Sequence, residues 1–144
     1  MQSIKTTIIR YDEGGIFMRR DMDLVRLILL EIESSENDEI EDFNIDGYDI
    51  SSVKYNGELL LQAGLIDKFY EDTMGELVAG QLTWEGCDYL DKIRDNSIWK
   101  KTKDAIKEKG LPLVVDTIKT ISTAFVTATA EGIANSILKN GGPE

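Results

Sequence analysis

The sequence predicts a helix-rich α+β fold with a small antiparallel sheet and a C-terminal helical extension. Apolar residues recur at helical spacing in five segments, and shorter segments bounded by Asp-Gly and other glycine turns are typical of strands. The 144 residues are 42% hydrophobic and 30% charged. This composition suits one folded domain with a real core and excludes wholesale disorder and low-complexity classes.

Residues 1–17 have neither the apolar run of a secretory signal nor the arginine-rich pattern of a transit peptide. We treat them as an N-terminal appendage, because Gly14-Gly15 separates them from the first predicted helix. The remaining chain divides into a core domain over residues 18–95 and C-terminal helices over residues 96–144.

The first helix is predicted from Asp21, as N-cap, to about Ser34. Its buried positions recur at three- and four-residue spacing and are Leu24, Val25, Ile28, Leu29 and Ile32. A short strand comes after it, closed by Asp46-Gly47, with its apolar positions at Ile40, Phe43 and Ile45.

The second helix is predicted to begin at Ser51 or Ser52, either of which can cap it, and to reach Ala63, with Gly64 at the left-handed C-terminal position. A β-hairpin comes next. Its two predicted strands, which flank a polar turn, cover residues 65–70 and 76–82.

Two further helices are predicted after the hairpin. Thr83 can cap a helix over residues 84–94, and Ser97 can cap another over residues 98–109 that ends at Gly110. On the first of these helices, the positions predicted to face inward are Trp84, Cys87, Leu90 and Ile93.

The last helix is predicted over residues 112–139. Between Ser122 and Ser136 it is rich in Ala, Thr, Ser and Gly, so its helicity needs tertiary or quaternary contacts. Its longest uncharged run, over residues 120–130, is too short to span a bilayer. We therefore predict an interface for self-association or for a partner helix, with candidate residues Ile118, Ile121, Phe125, Ala128, Ile133 and Ile137.

The order helix, short strand, helix, hairpin, helix is that of a winged helix-turn-helix, in which the second helix is the recognition helix and the hairpin is the wing. The segments Leu-Leu-Gln-Ala-Gly-Leu-Ile (residues 60–66) and Leu-Thr-Trp-Glu-Gly (residues 82–86) resemble a pairing found in many bacterial winged-helix regulators.

Together with Met-Arg-Arg-Asp-Met-Asp-Leu (residues 18–24) and Ile-Arg-Asp (residues 93–95), these segments resemble the bacterial and prophage family known as domain of unknown function 2513. The resemblance covers roughly residues 18–109. It implies the fold and a bacterial or prophage setting, and no activity comes with it.

The net charge of −11 is unevenly distributed. Residues 31–91 carry two lysines against seventeen carboxylates, whereas residues 92–109 carry seven basic groups against three acidic ones. Because affinity for DNA comes largely from Lys and Arg neutralising phosphates, the sequence disfavours duplex DNA binding. DNA binding stays open as the alternative. The residues that would then contact DNA are Ser51, Ser52, Lys54, Tyr55, Asn56 and Lys68.

The chain has no histidine and a single cysteine, Cys87. This excludes histidine-dependent nucleophilic catalysis, histidine-ligated zinc and an intrachain disulfide, and it favours a cytoplasmic location. Residues 42–47 match the first six positions of a calcium loop, but the twelfth position is Val53 where a bidentate Glu is required. We predict no metal, no cofactor and no catalysis, and we interpret Trp84 and Trp99 as core residues.

The sequence thus predicts a non-catalytic winged-helix-like module that binds another protein or further copies of itself. It predicts no association with a membrane. The alternative is a winged-helix transcriptional regulator that binds DNA.

Overall fold

The structure, a computed structural model, describes residues 18–141 and the side chains up to residue 139. The predicted appendage, residues 1–17, lies outside the described residues. Within them the helix-rich α+β class is confirmed, with five helices and one two-stranded antiparallel sheet. The elements are α1 (Met22–Ser34), α2 (Ile50–Gln62), β1 (Phe69–Glu71), β2 (Leu77–Ala79), α3 (Trp84–Ile93), α4 (Asn96–Glu108) and α5 (Val115–Gly141).

The chain divides into two compact units, one up to Cys87 and one from Asp88 onward, so the division falls within α3. The boundary expected between residues 95 and 96 stays a prediction.

Helix α1 begins as predicted. The Asp21 carboxylate accepts hydrogen bonds from the backbone N–H groups of Asp23 and Leu24 at 3.0 and 3.1 Å, which satisfies two donors at the helix start. All the positions expected to be buried are buried: Leu24, Val25, Ile28, Leu29 and Ile32.

The predicted cap of α2 is wrong. The N-cap is Asp49, which lies in extended conformation without a side-chain cap, and the first helical hydrogen bond runs from the N–H of Val53 to the C=O of Asp49. Ser51 and Ser52 are therefore already inside the helix. At the other end, Gly64 takes the predicted left-handed conformation, with φ of +76°.

The sheet is smaller than predicted. β1 and β2 pair with Phe69 opposite Ala79, and the expected strand around Ile40 is reduced to one antiparallel bridge between Ile40 and Ala79. The Phe43 N–H also donates to the Leu77 carbonyl at 2.8 Å. This short segment therefore lies beside β2 but departs from it before a ladder can form.

Thr83 joins the end of α2 to the start of α3. Its hydroxyl donates to the Gly64 carbonyl at 2.5 Å and accepts from the Gly86 N–H at 3.0 Å, so the predicted N-cap is confirmed. Gly86 lies so close to the Leu65 carbonyl oxygen that a Cβ at this position would overlap it. The Ala-Gly-Leu-Ile and Leu-Thr-Trp-Glu-Gly segments thus pack directly against each other through their backbones, and we call this contact the joint between α2 and α3.

In the second unit, α4 and α5 pack against each other. The predicted Ser97 cap is wrong, because the Asp95 carboxylate accepts from the Ile98 N–H at 2.9 Å and α4 starts at Asn96. The expected start of α5 at Pro112 is also wrong. The first hydrogen bond of α5 runs from Ile118 N–H to the Val114 carbonyl, which leaves Pro112 in the preceding loop.

Candidate functional site

Two surfaces were expected from the sequence to carry function: the exposed side of α2 with the hairpin, and α5. On α2, the side chains of Ser51, Ser52 and Tyr55 are half-buried. Lys54 and Lys68, the two cations of this surface, have side chains that are 44% and 47% exposed.

Both lysines are paired with carboxylates of the same unit. The ammonium of Lys54 lies 3.5 Å from Glu71 and 3.9 Å from Glu58, and that of Lys68 lies 2.6 Å from Glu39. The hydrogen bond from Lys68 lowers the pKa of Glu39, and the same bond raises the pKa of Lys68. Neither cation is held ready for a phosphate, because each is already opposed by a charge of this chain.

Asn56, expected among the DNA-contacting residues, is 0% exposed. Its carbonyl oxygen accepts from the Asp21 N–H at 2.8 Å, and its amide nitrogen donates to the carbonyls of Ser52 at 2.9 Å and Arg19 at 3.3 Å. Asn56 therefore holds the start of α1 against α2. The prediction that Asn56 contacts DNA is therefore wrong, because its side chain is buried.

Two predictions for α3 are wrong. Trp84 is 84% exposed and Cys87 is exposed, whereas Leu90 and Ile93 are buried as expected. The close approach of Gly86 to the Leu65 backbone sets which side of α3 faces inward in its first turn, and this leaves Trp84 and Cys87 outside. Trp99 is buried, as predicted, and the Lys103 ammonium lies 5.4 Å from the centre of its ring.

Helix α5 changes character along its length. Ile118 and Ser122 are 0% exposed, but of residues 123–139 only Phe125 is even half-buried. At 1.5 Å per residue, this uncovered part is roughly 25 Å long. It carries only Glu131 and Lys139 as charges.

One row of residues runs along α5 at spacings of three and four. It starts at the buried Ile118 and Ser122 and continues through Val126, 36% exposed, to Ile133, 58%, and Ile137, 62%. One side of α5 is therefore buried against the rest of the protein in the first half of the helix and exposed to solvent in the second half. We call the exposed row of Val126, Ala130, Ile133 and Ile137 the α5 stripe.

The residues predicted for the interface thus separate into three groups. Ile118 is buried by the chain itself and is withdrawn as an interface residue. Ile121 and Phe125 are half-buried. The exposed members are Ala128, Ile133 and Ile137, to which the structure adds Leu138, 70% exposed, which the sequence analysis did not single out.

A cleft of about 560 Å³ lies in the first unit, between α1 and the segment from Ile40 to Asp46. The sequence does not reveal this cleft, because its apolar lining comes from parts of the chain that no periodic pattern connects. Its walls include Leu27, Leu30 and Ile45, which are half-buried.

In the part of the chain that the structure describes, no three His, Cys, Asp or Glu side chains are grouped to hold a metal ion. None of the described helices combines the length and the apolar character needed to cross a membrane.

The fold and its surfaces define a helix-rich α+β protein with a strongly acidic first unit and a long, partly bare C-terminal helix. The family model described as hypothetical protein DUF2513 matches residues 19–112, and the chain belongs to this family. An uncharacterized protein of Haemophilus influenzae is 37% identical over 114 residues, which cover 76% of this chain and 97% of the relative. No solved structure is significantly similar.

Proposed function

We propose that the protein is a non-catalytic, winged-helix-like interaction module of bacterial or prophage origin, that it acts in the cytoplasm, and that it self-associates through the α5 stripe. The observation that carries the proposal is the row on α5 that is fully buried at Ile118 and bare at Ile133 and Ile137. The antiparallel bridge of Ile40 with Ala79 beside the hairpin supports the winged-helix-like topology.

The second half of α5 has a low intrinsic helix propensity and needs other contacts to stay helical. Residues 123–139 contain four threonines or serines, one glycine and three β-branched apolar residues, all of lower helix propensity than alanine or leucine. Short helices of such composition are marginal in water, and their stability comes from packing an apolar face. A partner over the α5 stripe supplies that packing.

A second copy of the chain is a fitting partner. In an antiparallel pair that places Ile133 opposite Ile137 of the other copy, the stripe isoleucines of the two copies cover one another, and Glu131 and Lys139 lie on the side of the helix away from the contact, where they stay hydrated. This contact is self-complementary, and it therefore closes into a two-fold dimer and does not extend into a fibre.

The double variant Ile133→Asp/Ile137→Asp is expected to be monomeric under conditions where the wild type is dimeric. Each isoleucine contributes about 1 kcal/mol or more of apolar burial in the dimer, and an aspartate there must be desolvated instead. The measurement is the mass in solution by sedimentation equilibrium across a micromolar concentration series.

The matched control is Ala124→Asp/Asn135→Asp, which adds the same charge on the opposite side of α5, where both residues are also exposed. It should keep the wild-type mass. A wild type that is monomeric throughout, or a control that dissociates as readily as the stripe variant, contradicts the proposal.

The alternative function, a DNA-binding regulator, draws its support from the helix, hairpin and bridge order alone. The charges oppose it, since Lys54 and Lys68 are neutralised by Glu39, Glu58 and Glu71. We therefore expect no complex with a 30-base-pair duplex at 50 or 150 mM salt in a gel-shift assay, at protein concentrations up to about 100 μM, where ordinary non-specific binders occupy about half of the duplex or more.

Removing the opposing carboxylates tests this explanation. The triple variant Glu39→Gln/Glu58→Gln/Glu71→Gln should gain weak, salt-sensitive binding. Its control, Glu36→Gln/Glu85→Gln/Glu108→Gln, changes the net charge equally at exposed positions that form no ion pair with either lysine, and it should gain less. A wild type that binds the duplex at 150 mM salt would establish the regulator in place of our proposal.

A further inference from the structure

The cleft in the first unit combines an apolar floor with an acidic rim. Leu27 and Leu30, from the middle of α1, line the cleft on one side, and Ile45 lines it from the following segment. A volume of about 560 Å³ is in the range of cavities that hold a few side chains or a small ligand. The floor is only half-buried in the protein itself, so it can still gain from being covered.

The rim carries the carboxylates of Glu31, Asp42 and Asp46, all exposed. Among the described residues, no lysine or arginine forms an ion pair with any of the three. The negative charge of this rim acts on neighbouring groups: repulsion from the Asp42 carboxylate is the largest cause of the raised pKa of Glu76. The rim therefore presents negative charge that the described part of the chain leaves unbalanced.

Asp42 also has an unusual backbone. Its φ is +51°, the only positive value among the described non-glycine residues. Its carbonyl accepts a hydrogen bond from the Asn44 side chain at 3.0 Å, which holds the turn. A non-glycine residue in this region costs about 1 kcal/mol, and such residues cluster at binding and active sites.

We propose that this cleft binds a short segment of another protein in which leucine or isoleucine side chains alternate with lysine or arginine. The apolar side chains would cover Leu27, Leu30 and Ile45, and the cations would pair with Glu31, Asp42 and Asp46. A nucleic acid or an anionic lipid surface would be repelled by the same rim, and a hydrated cation would gain nothing from the apolar floor. The surface differs from the α5 stripe, so this inference does not rest on self-association.

The test uses the full chain and a fluorescein-labelled hexapeptide, Lys-Leu-Lys-Ile-Arg-Leu, with fluorescence anisotropy as readout at 150 mM salt. We expect saturable binding. Two control peptides, one with serine for every leucine and isoleucine and one with glutamine for every lysine and arginine, should each bind at least fivefold more weakly. Equal binding of either control would overturn the proposal.

Protein variants locate the site. Glu31→Gln/Asp46→Asn should weaken binding at least fivefold, whereas Glu108→Gln/Asp116→Asn, with the same change in net charge in the second unit, should change it less than twofold. Equal loss in both would mean general attraction to an acidic protein and would refute the cleft.

The floor is tested with Leu30→Ser, which should also weaken binding at least fivefold, against Leu61→Ser, at an exposed leucine outside the cleft. Circular dichroism shows whether each variant is folded. If Leu30→Ser does not fold, amide shift changes of the wild type on peptide addition decide the matter. Changes confined to residues 27–46 support the cleft, and changes elsewhere overturn it.

Discussion

Replacing Gly86 by alanine is expected to lower the free energy of unfolding by about 3 kcal/mol, with a thermal midpoint about 10 °C lower. Alanine normally favours a helix over glycine by about 1 kcal/mol. At this position, however, the added methyl group overlaps the Leu65 carbonyl oxygen, which is backbone and cannot rotate away. Relief requires α3 to move off the end of α2.

Gly132 provides the matched control for Gly86. It also lies inside a helix, α5, but apart from its chain neighbours and the adjoining backbone of that helix, no described atom lies within 4 Å of the place where its Cβ would be. Gly132→Ala should therefore raise helicity, and it should stabilise α5 by up to about 1 kcal/mol. Thermal unfolding followed by circular dichroism measures both variants. Equal behaviour of the two would show that Gly86 is not packed against Leu65.

Substituting Asn56 by alanine is expected to destabilise the protein by about 3 kcal/mol. The change removes three hydrogen bonds at once and leaves the Asp21 N–H and the Arg19 carbonyl without their side-chain partner. Because Asp21 also caps α1, the loss should be felt first at the start of that helix. Chemical denaturation gives the free energy, and hydrogen exchange at the Asp21 amide gives the location.

The control for Asn56 is Asn37→Ala, at an exposed position in the loop after α1. It should change stability by less than about 0.5 kcal/mol. If Asn56→Ala were as mild as Asn37→Ala while the Asp21 amide stayed protected, the buried side chain would not be what joins α1 to α2.

These two positions change the interpretation of the segments that resemble the family. The Met-Arg-Arg-Asp-Met-Asp segment supplies the Arg19 carbonyl and Asp21 N–H that Asn56 binds, and the Leu-Thr-Trp-Glu-Gly segment supplies the joint at Thr83 and Gly86. Asp21, Thr83 and Gly86, together with the backbone of Arg19, therefore have structural roles that require no ligand. The surfaces proposed for function, the α5 stripe and the cleft, lie outside these joints.

The sequence by itself determined the five helices, the hairpin and their order along the chain. The Asp21 cap, the left-handed Gly64 and the Thr83 cap were predictable, because each depends on residues within a few positions along the chain. The apolar face of α1 was predictable for the same reason, since helical spacing is a local property. Local chemistry also placed self-association on the last helix as a prediction.

Only the tertiary structure decided which side chains are covered. Trp84 was expected inside and is exposed, Asn56 was expected outside and is buried, and Ile118 is covered while Ile133 is bare. The ion pair between Lys68 and Glu39, which are distant in sequence, could not be predicted from the sequence either. Burial and ion pairing depend on which distant segments meet, and a periodic pattern records only that a face is apolar, not what covers it.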